Sequence, residues 1–77
     1  MENFNANIKQ YRKNLYRNIK QNRVELNLTQ KQVAIKMDIS YQAYQAYECG
    51  RSLPTLENLI KLCEIFDVTP NELLDYK

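Results

Sequence analysis

Apolar residues along the first quarter of the chain recur at helical spacing. Phe4, Ile8, Tyr11, Leu15 and Ile19 lie three or four apart and form one stripe. Leu56, Leu59, Ile60, Cys63 and Phe66 make a second stripe of the same kind. Between them, Tyr41 to Tyr47 reads Tyr-Gln-Ala-Tyr-Gln-Ala-Tyr, a period closer to the roughly 3.6 of a helix than to the 2 of a strand. No strand is predicted, and the fold class expected is all-α.

Polar residues mark where the helices begin. Thr29-Gln30-Lys31-Gln32 has the form of a capping box, in which the threonine hydroxyl accepts from the backbone amide three residues on and the glutamine reaches back. Ser40 and Thr55 precede runs without breakers and are expected N-caps. Thr69-Pro70-Asn71-Glu72 combines a capping box with proline at the first helical position. A first helix of about three turns is expected from Ile19 to Leu26, giving five helices over residues 15–77. Residues 1–14 are expected to be a helical extension. Its Asn7 to Leu15 matches Asn18 to Leu26 at six of nine positions, eleven residues apart.

The second and third helices are joined by very little chain. Met37 closes one, Ser40 caps the next, and only Asp38 and Ile39 lie between, which is a helix-turn-helix. The chain has a single glycine, Gly50, placed where the third helix must end. Asn27 and Asp38 are therefore expected to supply the positive φ at two other helix ends, since Asn and Asp tolerate it best among the remaining residues. Ile39 is expected to point inward, as are Tyr44 and Tyr47 against the fourth helix.

Composition narrows the function. Seventy-seven residues, 44% hydrophobic and 26% charged, suit one small globular domain with little room for a deep substrate cavity. Histidine is absent, so Ser40 and Ser52 have no evident base and a hydrolase is not expected. Cys49 and Cys63 are two thiols too far apart for a metal motif, and each is expected to be partly buried; no metal or cofactor is expected. The longest apolar run, Val33-Ala34-Ile35, falls far short of the roughly 20 residues of a membrane span, and no signal-like stretch follows Met1. A cytoplasmic protein is expected. The net charge of +2 is unevenly spread: residues 1–36 carry eight bases and two acids (+6), residues 37–77 three bases and seven acids (−4). The basic half suits either an anionic partner such as nucleic acid or an ordinary solvated surface.

From Ile19 to Leu74 the chain resembles the Cro/cI-type (XRE-like) helix-turn-helix regulators of phages and bacteria, whose fold is a compact five-helix, lambda-repressor-like DNA-binding domain. The resemblance is carried by Leu28-Thr29-Gln30, Val33-Ala34, Ile39-Ser40, Tyr47-Glu48, Gly50-Arg51, Pro54 to Leu59 and Phe66 to Thr69. It departs from the family where Asn27 and Asp38 replace glycine and where Asn22 replaces an apolar residue. The resemblance implies that Tyr41 to Glu48 enters the major groove of double-stranded DNA. Gln42 is then the first candidate for reading bases, because an amide can pair with both N7 and N6 of adenine; Gln45 is the second. Tyr41 would meet either a thymine methyl or a phosphate. Gln30, Lys31, Ser40 and Arg51 would hold phosphates. Arg23 and Glu48 would form a structural ion pair between the first helix and the reading helix.

The resulting expectation is a DNA-binding regulator, a repressor before an activator, acting as a homodimer on a two-fold operator. The alternative is an antitoxin-like module whose main partner is another protein. For the extension, the apolar stripe would contact a second subunit or pack back on its own domain, or else residues 1–14 form a basic arm near DNA.

Overall fold

The computed structural model describes residues 3–77, and Met1 and Glu2 lie outside it. It contains five helices and, among the described residues, no strand: α1 Phe4–Glu25, α2 Gln30–Met37, α3 Tyr41–Cys49, α4 Leu56–Phe66 and α5 Pro70–Leu74. The expected extension and first helix are one element. With no glycine or proline before Gly50 to interrupt it, α1 runs unbroken for 22 residues, capped by the Asn3 side chain, and crosses the expected boundary at residue 14. It ends at Glu25, so Leu26 is no longer helical.

Thr29, Ser40, Thr55 and Thr69 each accept a hydrogen bond from the backbone amide three residues on, and Thr29 and Thr69 complete capping boxes with Gln32 and Glu72. The helix ends share one device. Asn27, Asp38, Asp67 and Asp75 hold φ between 51° and 58°. In each case the next residue (Leu28, Ile39, Val68 or Tyr76) sends its amide back to a carbonyl five residues earlier. This satisfies carbonyls that the helix leaves open and turns an apolar side chain back toward the helix. Gly50, at φ 78°, meets a second constraint: a Cβ there would lie 2.8 Å from the Tyr16 ring.

The core is built from Leu15 and Ile19 of α1, Val33, Ala34 and Met37 of α2, Tyr44 and Tyr47 of α3, Leu62, Cys63 and Phe66 of α4, and Leu73 of α5. Ile39 and Leu28 are half-buried against it. The expected face of α4 needs correction. Leu59, Cys63 and Phe66 turn inward together with Leu62, whereas Leu56 is 75% exposed and Ile60 is also on the surface. Because α4 is apolar over much of its circumference, its spacing fits more than one register. The Lys61 ammonium, which donates to the Met37 carbonyl at the end of α2, belongs to the observed one. Of the two cysteines, Cys63 is buried and Cys49 exposed, so the expectation of two partly buried thiols is also corrected.

Asparagines fasten α1 to α5. Asn14 Nδ2 donates to the Leu74 carbonyl at 3.0 Å and Asn18 Nδ2 to the Leu73 carbonyl at 2.8 Å. Asn14 is the buried polar residue of the core region, and its Oδ1 accepts from Gln10.

Candidate nucleic-acid interface

The start of α2 and the start of α3 both carry unpaired backbone amides, and long side chains link them. In α2 the capping box uses the amides of Thr29 and Gln32, leaving the backbone N–H groups of Gln30 and Lys31 without intrahelical partners at the positive end of the helix. In α3 the Ser40 hydroxyl takes the Ala43 amide and leaves those of Tyr41 and Gln42. The Asp38 reversal, at φ 57°, sets the start of α3 directly after the end of α2.

The side chains between them form a chain of hydrogen bonds. Gln45 Nε2 donates to the Tyr41 hydroxyl (2.9 Å), that hydroxyl to Gln30 Oε1 (3.3 Å), and Gln30 Nε2 to Glu48 Oε1 (3.0 Å). Glu48 is also held by Arg23 through Nε at 2.6 Å and Nη2 at 3.1 Å, while Arg23 Nη1 donates to the Leu28 carbonyl. The side chain of Glu48 is only 4% exposed and that of Arg23 13%. Burial alone would raise the Glu48 carboxyl, but the bonds from Arg23 and Gln30 and the guanidinium charge outweigh it and hold the group below the ordinary carboxylate range. The bond to Glu48 raises Arg23 further above its already high value. The Tyr44 phenol is buried beside this pair, and that burial pushes its ionisation above the usual range. Its hydroxyl meets no strict hydrogen-bond geometry, but it lies close enough to Glu48 to help keep that carboxyl charged.

The residues singled out in the sequence divide by what the fold does with them. Gln30, Tyr41 and Gln45 are half-buried and linked to one another, and the Lys31 ammonium stands 5.4 Å from the centre of the Tyr41 ring. Gln42 is exposed on the outer side of α3, and Ser40 and Arg51 are exposed at its two ends. Arg23 and Glu48 join α1 to α3 below this surface. The Gln30 side chain is more occupied than a surface phosphate ligand would be, since its amide oxygen and one amide hydrogen are engaged within the fold. Asn27 and Thr29 also line an open depression of about 430 Å³ beside Lys31 and Tyr41. Sequence reasoning gave both only backbone duties, and their polarity next to Lys31 was the available signal.

Among the described residues no group of His, Cys, Asp and Glu could hold a metal ion, and no helix is long and apolar enough to cross a membrane.

A family model described as helix-turn-helix matches residues 19–73, which runs from the middle of α1 into α5 and includes the whole turn. The chain belongs to the helix-turn-helix family. It is 41% identical over 51 residues to the cryptic phage CTXphi transcriptional repressor RstR of Vibrio cholerae, covering 66% of this chain and 46% of that protein. It is 40% identical over 57 residues to the uncharacterized HTH-type transcriptional regulator YqaE of Bacillus subtilis, covering 74% of this chain and 49% of that one. The chain therefore spans about half the length of the curated relatives it matches. No solved structure matches it. The all-helical arrangement, with α2 and α3 as the paired helices, is that of a Cro/cI-type helix-turn-helix domain.

Proposed function

We propose that this helix-turn-helix chain is a transcription regulator that binds double-stranded DNA sequence-specifically, acts as a repressor, and works as a dimer on a two-fold operator with half-sites about 10 base pairs apart. The observation that carries this reading is the outer side of α3, where exposed Gln42 shares a helix with Tyr41 and Gln45, which are linked to Gln30 at the capped start of α2 beside the Lys31 ammonium. Gln42 is the one of the three with no bond inside the fold, and it is assigned direct readout of a base edge. Gln45 reads with its amide oxygen while its nitrogen is held by Tyr41. The Tyr41 ring offers an apolar edge to a thymine methyl. Lys31, Ser40, Arg51 and the backbone amide of Gln30 take phosphates, fixing position without reading sequence. Arg23 and Glu48 support the reading helix from below. Residues 15–77 are the reader and residues 1–14 an extension serving assembly, and the protein does this work in the cytoplasm. The description of the Vibrio cholerae relative as a repressor supports that choice over activation.

Selection from a random double-stranded DNA pool, followed by titration of the selected site at several salt concentrations, tests the reading. The expected result is a two-fold site whose affinity falls linearly with the logarithm of salt. A pool with no enriched sequence, or a flat salt response, would refute it in favour of an antitoxin-like protein-binding role. Lys31→Ala should weaken binding about equally at all sites and reduce the salt slope by about one, whereas Gln42→Ala should relax one position of the site at a cost of about 1–3 kcal/mol.

A further inference from the structure

The first two turns of α1 are uncovered, and its apolar side meets the rest of the chain only from Tyr11 onward. The molecule measures 43 × 22 × 20 Å, its length reflecting a 22-residue helix of about 33 Å. Of the stripe Phe4, Ile8, Tyr11, Leu15 and Ile19, the last two are buried, Tyr11 is half-buried against Tyr76, and Phe4 and Ile8 are 67% and 49% exposed. The eleven-residue repeat sharpens the contrast. Asn18 and Ile19 meet α5 and the core, while their counterparts Asn7 and Ile8 present the same pair three turns away with nothing to cover them. Beside them lies an apolar groove of about 230 Å³, lined by Ile8, Tyr11, Arg12, Leu15, Leu53 and Leu74.

We propose that a second copy of this chain fills the groove, with its α1 antiparallel to the first and its Phe4 seated between Leu53 and Leu74. The face is self-complementary. Apolar knobs (Phe4, Ile8) and a hole (Tyr11, Leu15, Leu53, Leu74) follow one another along the same helix side, so a two-fold axis near Ile8 exchanges them, as an isologous contact requires. Charge does not oppose this occupant. At helical spacing Lys9, Lys13, Arg17 and Lys20 fall on the other half of the helix surface, so pairing the groove sides does not bring them together. Arg12 is the base on the rim of the groove, and it is exposed. The inference rests on the proposed dimeric reader and assigns its subunit contact.

Sedimentation equilibrium over a wide concentration range tests it. The wild-type chain is expected to show twice its monomer mass, and Ile8→Glu and Phe4→Glu the monomer mass at the same concentrations, with helicity retained because both positions are exposed and a melting temperature that, unlike the wild type's, does not rise with concentration. On a Cys49→Ser background, Ile8→Cys should form an interchain disulfide under mild oxidation. Ile8→Glu should bind a single half-site like the wild type but bind the two-half-site operator about a hundredfold more weakly. A wild-type mass of one chain throughout, an Ile8→Glu variant that stays dimeric, or no crosslink through Cys at position 8 would overturn the interface even if DNA binding is intact. Loss of DNA binding in the wild type with the mass and crosslink results as expected would sink the regulator reading and leave the interface standing.

Discussion

Asp38 bears the strain of the turn. An L-residue at φ 57° crowds its Cβ against the backbone, and no hydrogen bond of its side chain offsets this in the structure. Asp38→Gly should therefore hold stability or raise it by up to about 1 kcal/mol, whereas Asp38→Val should lower it by about 1–2 kcal/mol in urea denaturation. Tyr44 is a second residue whose chemistry does not match its surroundings. Its hydroxyl is desolvated beside Glu48 without a strictly formed bond, so Tyr44→Phe should be neutral or stabilising by about 1 kcal/mol. Glu48→Ala, by contrast, leaves the Arg23 guanidinium buried without its partner and should cost about 3–5 kcal/mol, a large part of what a domain of this size has. Equal effects of the two changes in thermal melts would contradict the geometry. That Tyr44 and Tyr47 turn inward follows from their spacing; that the Tyr47 hydroxyl bonds Asn58 and the Tyr44 hydroxyl meets no strict hydrogen-bond geometry does not.

Helix ends were the most legible elements. Asn27-Leu28-Thr29, Asp38-Ile39-Ser40 and Asp67-Val68-Thr69 repeat one order: a residue tolerant of positive φ, an apolar residue that folds back, and the cap of the next helix. Each step is local, so short-range sequence suffices to specify it. The face of α4 was less legible, because a helix apolar on several sides is oriented by its neighbours. Leu56 and Ile60 matched the period of α4 and lie outside, while Leu62 is fully buried. At five residues α5 is too short to persist alone, and its docking depends on the asparagines of α1. Asn18→Ala removes the donor to the Leu73 carbonyl and should cost about 1–2 kcal/mol, read as a lower urea midpoint with early loss of amide protection in α5. Unchanged protection there would show that α5 is held by apolar contact alone.

Across the whole molecule, charge sets the response to pH. The Glu48 carboxyl is held below its unfolded value, so its contribution is complete above the ordinary carboxylate range and is lost as pH falls through that range toward the folded value. Burial raises the Cys63 thiol, so its effect has the opposite sense: stability is kept below the unfolded thiol range and erodes as pH rises through it. Thermal melts should therefore be nearly flat from about pH 5 to 8 and fall on either side. Glu48→Gln should flatten the acid limb, and an acid limb unchanged in that variant would assign it to other carboxylates. The division into a basic amino-terminal half and an acidic carboxy-terminal half was readable by counting, but not which bases remain available. Arg23 is committed to Glu48 inside the fold, while Lys31 stands beside the Tyr41 ring.

By itself the sequence determined what short-range chemistry can decide: helical class, the four caps and the turn at Asp38, and the outward placement of Gln42. Tertiary structure alone decided which side of α4 is inside and that Gln30, Tyr41 and Gln45 are bound in a line to Glu48. The reason is distance along the chain. Caps and turns close over three to five residues, whereas Gln30 and Glu48 are 18 apart and Asn14 and Leu74 are 60 apart, so only packing of the helices brings those groups together.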